Sequence, residues 1–300
     1  MKKTEKDCPT HHTFHPQGLV ALLGNPVSHS LSPLMHNMAF EKVGLNWVYH
    51  AFEVQSHKLG PAIEGLKALN FKGGNITAPY KMDVLHYMDQ LSEEAEAAGA
   101  VNTLIMENGR IIGDNTDGEG FVKSIELEKS FDLNKKKALV LGAGGASRGV
   151  CLSLAKRNLK GLYIANRTKS KAKTLVDIIS RYQPTSTMDL GALSIDEEIL
   201  SSKTLAFDVI INTLPLDPPK YLLESFTNRW KGNNAFKYAN SKLFADLRYG
   251  EKKGKYLDQL MHMGITTVDG SGMLLYQGAL AFEKWTHIDP PIDVMKMAFA

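Results

Sequence analysis

The stretch Lys137–Thr168, KALVLGAGGASRGVCLSLAKRNLKGLYIANRT, constrains the fold more than any other. It reads as strand, glycine turn, helix, strand. Ala138–Leu141 is a short apolar run suited to a buried parallel strand. Gly142, Gly144 and Gly145 follow at once. Glycines there permit a tight turn and let backbone N–H groups approach a pyrophosphate at a helix N-terminus. The spacing predicts a helix over Ala146–Asn158 and a second strand over Leu162–Ala165. The third fingerprint position is Ser147 rather than glycine, so the strand–turn–helix context carries the reading.

The end of the second strand bears on which dinucleotide would bind. A site for NAD places Asp or Glu there to take the ribose 2′-hydroxyl. This chain has Asn166-Arg167-Thr168, followed by Lys169 and Lys171. An arginine with lysines nearby suits a 2′-phosphate, which points to NADP; the plain alternative is a solvated basic turn.

At 300 residues the chain has room for two domains. A net charge of +3 is too small to argue for a nucleic-acid partner. Cys8 and Cys151 are the only cysteines, and Cys151 falls within the helix after the glycine turn. That argues against a structural disulfide and for a reducing, cytoplasmic setting. No apolar run reaches membrane-spanning length, and no apolar core follows Lys2 and Lys3 to make a secretory signal. Residues 1–17 are polar and aperiodic and read as a disordered tail. Cys8, His11, His12 and His15 lack a second ligand cluster, so no metal site is expected.

Before Lys129–Lys136, which reads as a linker, strands alternate with helices, so this half is itself an α/β layer structure. Strands are expected at Leu19–Gly24, Val48–Val54, Gly73–Thr77, Val101–Met106 and Arg110–Gly113, and helices at Leu34–Val43, Lys58–Leu69, Ser92–Ala98 and Gly118–Leu127. Three spots break local rules, and all lie at strand carboxyl ends, where open α/β sheets present ligand groups. In Asn75–Lys81, NITAPYK, Pro79 is expected to start a helix running to about Met88. Lys81 then falls in its first turn, a cation against the helix dipole; an acid–base role and an ordinary surface lysine both fit. In Gly113–Gly118, GDNTDG, Asp117 is a carboxylate candidate or an N-cap, and Asp114 competes with it. In Ser28–Ser32, SHSLS, Ser32 followed by Pro33 fits an N-cap, whereas Ser30 has no such structural role.

In the second half, helices are expected at Ser170–Tyr182, Tyr256–Met263, Gly270–Trp285 and Ile292–Phe299. Strands are expected at Phe207–Asn212, Leu243–Leu247 and Thr266–Val268, with a weaker one inside Ser186–Leu193. The last helices are expected to fold back on the first half and leave a cleft between the two.

Eight motifs in order, GNPVSHSLSP, NITAPYK, AVNT, GDNTDG, GAGGASRG, NRT, DLRY and GMLLYQ, resemble those of the shikimate dehydrogenases from about Leu19 to Trp285. The resemblance implies an α/β substrate-binding catalytic domain over 18–128, joined by helices from 272–300. It also implies a Rossmann-type NADP-binding domain over 129–271. The implied activity is reversible NADPH-dependent reduction of 3-dehydroshikimate to shikimate, with a small molecule as partner rather than nucleic acid or membrane, in a monomer or homodimer. Ser30 and Ser32 match serines that hold the substrate carboxylate. Thr77, Asn102 and Gln277 match hydroxyl-binding positions, and Tyr249 a tyrosine near the substrate. Lys81 and Asp117 match the catalytic pair. Gly142, Ala143, Gly144, Gly145 and Ala146 match the pyrophosphate loop. Asn166, Arg167, Thr168 and Lys171 match the 2′-phosphate site. Leu247 and Gly270 match positions near the nicotinamide, and Glu93 a further cofactor contact.

The chain departs from the family pattern at Leu214-Pro215-Leu216-Asp217, and Lys171 stands where arginine is common. Three other readings compete. Against a quinate/shikimate enzyme stand Ser32 and Arg167. Against a catalytically silent NADP-binding relative stand Lys81 and Asp117. Against a folate-linked two-domain dehydrogenase stand the paired serines with NTDG.

Overall fold

The structure, a computed structural model, describes residues 16–183, 187–195, 207–229, 241–250 and 253–299. Cys8, His11, His12, His15 and most of the tail 1–17 lie outside them. Within them, the Gln17 N–H already bonds the Asn46 carbonyl at 2.7 Å.

The first half builds a six-stranded sheet from β1 (Gly18–Gly24), β2 (Trp47–Glu53), β3 (Gly73–Ile76), β4 (Gln90–Leu91), β5 (Thr103–Glu107) and β6 (Arg110–Asp114). Their order is β2-β1-β3-β5-β6-β4, and β5 runs antiparallel to both neighbours. The hairpin β5–β6 closes on Asn108-Gly109, both at positive φ (51° and 74°). That geometry matches the twist of the strands and favours this residue pair. Helices α1 (Ser32–Lys42), α2 (Leu59–Ala68), α3 (Glu93–Ala98) and α4 (Asp117–Lys123) complete this half. The helix anticipated to Leu127 widens after Lys123 into a π turn over Ser124–Glu128.

The second half is a fully parallel sheet of β7 (Lys137–Leu141), β8 (Gly161–Asn166), β9 (Asp189–Ser194), β10 (Val209–Asn212), β11 (Leu243–Asp246) and β12 (Thr266–Val268). The order β12-β11-β10-β7-β8-β9 reverses between β7 and β10, the crevice where a doubly wound sheet takes a dinucleotide. Helices α5 (Gly145–Ala155), α6 (Lys169–Tyr182), α7 (Lys220–Arg229) and α8 (Tyr256–His262) flank it. α7 was not anticipated from the sequence. Its Lys220–Glu224 pair has the i,i+4 spacing of a surface helix, 3.5 Å apart.

The chain then returns along α9 (Gly270–Thr286) and ends in α10 (Ile292–Lys296). α9 packs on the first half. Its Phe282 and Trp285 join Val20, Leu22, Met35, Phe40 and Tyr49 in one core, and Trp285 Nε1 donates to the Leu104 carbonyl at 2.9 Å. A second core crosses between the halves, with Phe121, Val122 and Ile125 packed among Val140, Val150 and Leu154.

Two expectations about local structure are corrected. No α-helix follows Pro79: turns lead into a 3-10 helix at Asp83–Tyr87. The Lys81 carbonyl accepts the Val101 N–H at 2.7 Å, and the Tyr80 hydroxyl donates to the Val54 carbonyl. The Lys81 carbonyl is thus taken by a long-range bond instead of the N–H four residues on, so no α-helix, and no helix dipole, forms at Lys81. Nor is Ser32 a capping side chain. Leu31 flanks α1 without a side-chain cap, and the Ser32 N–H donates to Ser30 Oγ at 3.2 Å.

His36 on α1 is fully buried, stacked on Tyr49 with ring centroids 4.6 Å apart, and neither ring nitrogen has a partner among the described residues. Burial pushes its pKa down from 6.5 to about 3, so it packs as a neutral ring. The unfolded chain takes up a proton near pH 6.5 that the folded chain refuses until about pH 3, so stability falls as the pH drops through that window. The share of this one group between pH 7 and 5 is ~2 kcal/mol. Urea denaturation of His36→Leu at the two pH values should show the acid-induced loss smaller by about that amount; an unchanged loss would refute the assignment.

Candidate functional site

A cleft of about 260 Å³ opens where the carboxyl ends of β1 and β3 face the glycine loop and the start of α9. Ser30, Ser32, Thr77, Lys81, Asn102, Asp117, Tyr249 and Gln277 line it, together with Ala146, Leu247 and Gly270. These eleven sequence-derived residues, drawn from both halves, thus converge on one small volume.

Lys81 Nζ and Asp117 Oδ2 are 2.6 Å apart, a charge-assisted contact. Asp117 is the first residue of α4, where a carboxylate also suits the helix dipole. Its side chain does not cap the helix, correcting the bland alternative. Instead Oδ1 accepts from Asn102 Nδ2 at 2.8 Å and Oδ2 takes the lysine. The lysine keeps a fifth of its side chain exposed to the cleft, against 4% for the aspartate, so the ammonium is the group a ligand meets.

Asn102 is the hub of this end. Its Nδ2 also reaches Thr116 Oγ1 at 3.0 Å and Gln277 Oε1 at 3.2 Å. Its Oδ1 accepts the Thr116 N–H at 2.9 Å and the Thr103 hydroxyl at 2.8 Å. Beneath the pocket wall, the Tyr49 hydroxyl donates to Asn75 Oδ1 at 2.9 Å, and Asn75 Nδ2 donates to the Asn102 carbonyl at 3.0 Å. Tyr49 sits mid-strand in β2 and carried no sequence signal. Asn75 lay inside a motif noticed for its lysine.

Asp114, the competing carboxylate, does not line the cleft. It pairs with Lys284 at 2.7 Å and accepts from the Ser92 hydroxyl and the Asn115 N–H. Burial opposes its charge, but the lysine and the hydroxyl outweigh it and hold the carboxyl below its usual range.

The glycine loop is locked from behind. The Gly144 N–H donates to Ser147 Oγ at 3.1 Å, Ser147 bonds Thr213 Oγ1 at 2.6 Å, and Thr213 donates to the Leu141 carbonyl at 2.7 Å. The serine in the third fingerprint position therefore ties the turn to the end of β10 across the switch point. Gly142 holds φ +113°, which only glycine adopts readily. A Cβ at Gly144 would meet nothing within 4 Å, and one at Gly145 would lie 4.0 Å from Lys81 Cβ. Open space in front of the first turn of α5 thus adjoins the Lys81–Asp117 pair. That cradle, with unpaired N–H groups at a helix start, fits a pyrophosphate.

Arg167, Thr168 and Lys171 are exposed at the end of β8 and the start of α6, and Asn166 Nδ2 holds the Thr168 carbonyl at 3.0 Å. No acidic residue stands at this strand end. Glu93 lies apart, in an outer groove with Arg148, Arg181 and Tyr182. The departing loop is anchored: Asn212 Nδ2 holds the Leu216 carbonyl, and Asp217 receives Arg248 at 2.6 Å. Arg248 also grips the fully buried Asp246, which accepts from the Tyr256 hydroxyl at 2.6 Å. This network braces the backbone next to Tyr249, whose hydroxyl burial shifts to a higher pKa. Among the described residues no cluster could hold a metal ion, and no helix is long and apolar enough to cross a membrane.

Three family models match the chain. They are described as shikimate dehydrogenase substrate binding domain (residues 22–104), shikimate / quinate 5-dehydrogenase (125–216) and shikimate 5'-dehydrogenase C-terminal domain (270–298). A shikimate dehydrogenase (NADP(+)) of Methanococcus maripaludis is 41% identical over 281 residues, covering 93% of this chain and 95% of its own. The crystal structure of a shikimate dehydrogenase in complex with NADP+ superposes with a TM-score of 0.80 at 35% identity, over 94% of each chain. A Listeria monocytogenes shikimate 5-dehydrogenase in complex with shikimate and NAD gives 0.79 at 33%, over 93% of this chain and 95% of that one.

Removing the Ser147 hydroxyl leaves the Gly144 N–H without its acceptor, at a cost of about 1 kcal/mol. In Ser147→Ala the dissociation constant for the dinucleotide, followed by fluorescence of its reduced form, should rise about 3- to 10-fold. Wild-type affinity would show that the lock is not needed.

Proposed function

The chain belongs to the shikimate dehydrogenase family, and from that membership we propose that its cleft interconverts 3-dehydroshikimate and shikimate with NADP. The Lys81–Asp117 pair carries the reading, because it stands between the paired serines and the open space before α5. In this reading residues 18–128 with 272–300 hold the substrate and 129–271 hold the cofactor.

Ser30 and Ser32 donate to the substrate carboxylate. Thr77, Asn102, Gln277 and Tyr249 meet its hydroxyls. Gly142–Ala146 surround the pyrophosphate, Leu247 and Gly270 adjoin the nicotinamide, and Asn166, Arg167, Thr168 and Lys171 take the 2′-phosphate. NADPH, when bound, supplies the hydride that reduces the C3 carbonyl. Lys81 gives a proton to the C3 oxygen as it becomes a hydroxyl, and takes that proton back in oxidation. Asp117 holds the ammonium at 2.6 Å and is itself held by Asn102, so the donor is positioned before substrate arrives. An enzyme of this kind fits a biosynthetic role in the cytoplasm, as a monomer or homodimer.

Lys81→Ala should lower turnover about 10²- to 10⁴-fold, the range for a positioned acid–base group, with little change in shikimate binding. Steady-state absorbance of NADPH with shikimate and NADP, and then with quinate and NAD, measures this and separates a quinate-preferring or silent relative. Near-native turnover in the variant removes Lys81 from the role. Arg167→Ala should raise KM for NADP on the order of tenfold and leave KM for NAD unchanged, since only NADP carries the 2′-phosphate. Equal changes for both cofactors would place Arg167 outside that site.

A further inference from the structure

We propose that Asp217 is a positioning residue for the dinucleotide: its bond to Arg248 latches the loop after β10 to the loop after β11 and so fixes one wall of the crevice. The proposal rests on the reading of that crevice as the NADP site. It gives a purpose to Leu214-Pro215-Leu216-Asp217, the stretch where the chain leaves the family pattern.

β10 borders the switch point, so the loop at its carboxyl end walls the crevice there. The near end of that loop is fixed on the glycine turn. Thr213 bonds Ser147 Oγ at 2.6 Å and donates to the Leu141 carbonyl at 2.7 Å. A Cβ at Gly142 would come within 3.3 Å of Leu214 Cδ2, so the loop lies against the turn that suits a pyrophosphate. The buried Asn212 then folds the loop on itself. Its Oδ1 accepts the Leu214 N–H at 3.3 Å, and its Nδ2 donates to the Leu216 carbonyl at 3.0 Å. Both bonds stay within four residues, so they shape the loop without tying its far end to another strand. Pro218 and Pro219 come next and have no N–H to donate. The tie at the far end is Asp217 Oδ1 on Arg248 Nη2, at 2.6 Å.

Arg248 is a firm post for that tie. Its Nε lies 3.0 Å from Oδ1 of the fully buried Asp246, and its Nη2 lies 2.6 Å from Oδ2. A buried carboxylate needs such a cation, so the guanidinium holds its place whether or not Asp217 reaches it. The Arg248 carbonyl also accepts the Gly270 N–H at 3.0 Å, and its chain neighbours Leu247 and Tyr249 line the cleft. The loop is thus tied at one end to the glycine turn and at the other to the backbone that faces the substrate. The Asp217 side chain is 63% exposed, so taking away its charge strands nothing in the interior.

Asp217→Asn should raise the dissociation constant for NADPH, followed by fluorescence of the reduced nicotinamide, about 2- to 5-fold, the range for an exposed ion pair. The constant for NADH should rise by the same factor, since the loop borders the part the two dinucleotides share. KM for shikimate should not change, and the melting temperature should stay within about 2 °C. Arg248→Lys keeps a cation for Asp246 and loses the arm that reaches Asp217, so in that background Asp217→Asn should add less than about 1.5-fold. If Arg248→Lys does not fold, salt takes its place: at about 1 M, where exposed charges are screened, wild type and Asp217→Asn should bind NADPH alike. A carboxylate that merely stood near the crevice would act the other way, because its removal takes a negative charge from beside an anionic dinucleotide. Unchanged or tighter binding in Asp217→Asn therefore overturns the latch alone. So does a loss for NADPH only, a full loss in the Arg248→Lys background or at high salt, or a larger fall in melting temperature. A folded wild-type protein that binds neither dinucleotide overturns the site reading itself, and the latch with it.

Discussion

Asp117 stands where it does because α4 and α5 touch backbone to backbone. A Cβ at Gly118 would overlap the Gly149 carbonyl, and the Gly149 side faces the Asp117 and Asn115 side chains in return. Only a pair of glycines allows so close an approach. The contact sets the carboxylate beside the helix that begins at the glycine turn. Around it Phe121, Val122 and Ile125 pack among Val140, Val150 and Leu154, so the two halves share a core on this side and open on the other. The cleft is the space that this one-sided joint leaves.

Inside the cleft the polar groups form a connected set. Asn102 serves Asp117, Thr116, Thr103 and Gln277 at once, drawing together β5, α4 and α9. A buried network of this kind rigidifies when each member is satisfied, because an unpaired polar group in a low-dielectric interior is costly. The neighbouring His36 takes the other solution and is held neutral among aromatic rings. The polar side chains at this end of the cleft are therefore held in place by one another.

The motifs made much of this visible in advance. The strand–glycine–helix unit and the alternation of strands and helices followed from residue types, as did Ser30, Ser32, Lys81 and Asp117 at strand ends, whereas Thr77, Asn102, Tyr249, Leu247, Gly270 and Gln277 came only from the family resemblance. Pro79 and Ser32 each matched a local helix-start rule, and neither starts a helix in that way: the Lys81 carbonyl is taken by Val101 far along the chain, and α1 is flanked by Leu31 while the Ser32 N–H turns to Ser30 Oγ. Local rules assume that side-chain and backbone groups near a helix start are free to serve it. Here they were committed elsewhere. Likewise Ser147 read as a flaw in a glycine fingerprint, and its bond to Thr213 gives it a purpose that spacing could not reveal.

The amino-acid order alone determined the fold class, the site of the glycine turn and the chemical types gathered at the strand ends, since apolar periodicity, glycine conformation and formal charge are properties of short segments. Tertiary structure alone decided which carboxylate faces the lysine, sending Asp114 to Lys284 and Asp117 to Lys81. The aspartates stand three positions apart in sequence, and the direction each faces is settled by the strand end, the helix start and the packing of α9 around them. Those are contacts between distant segments, and no local pattern encodes them.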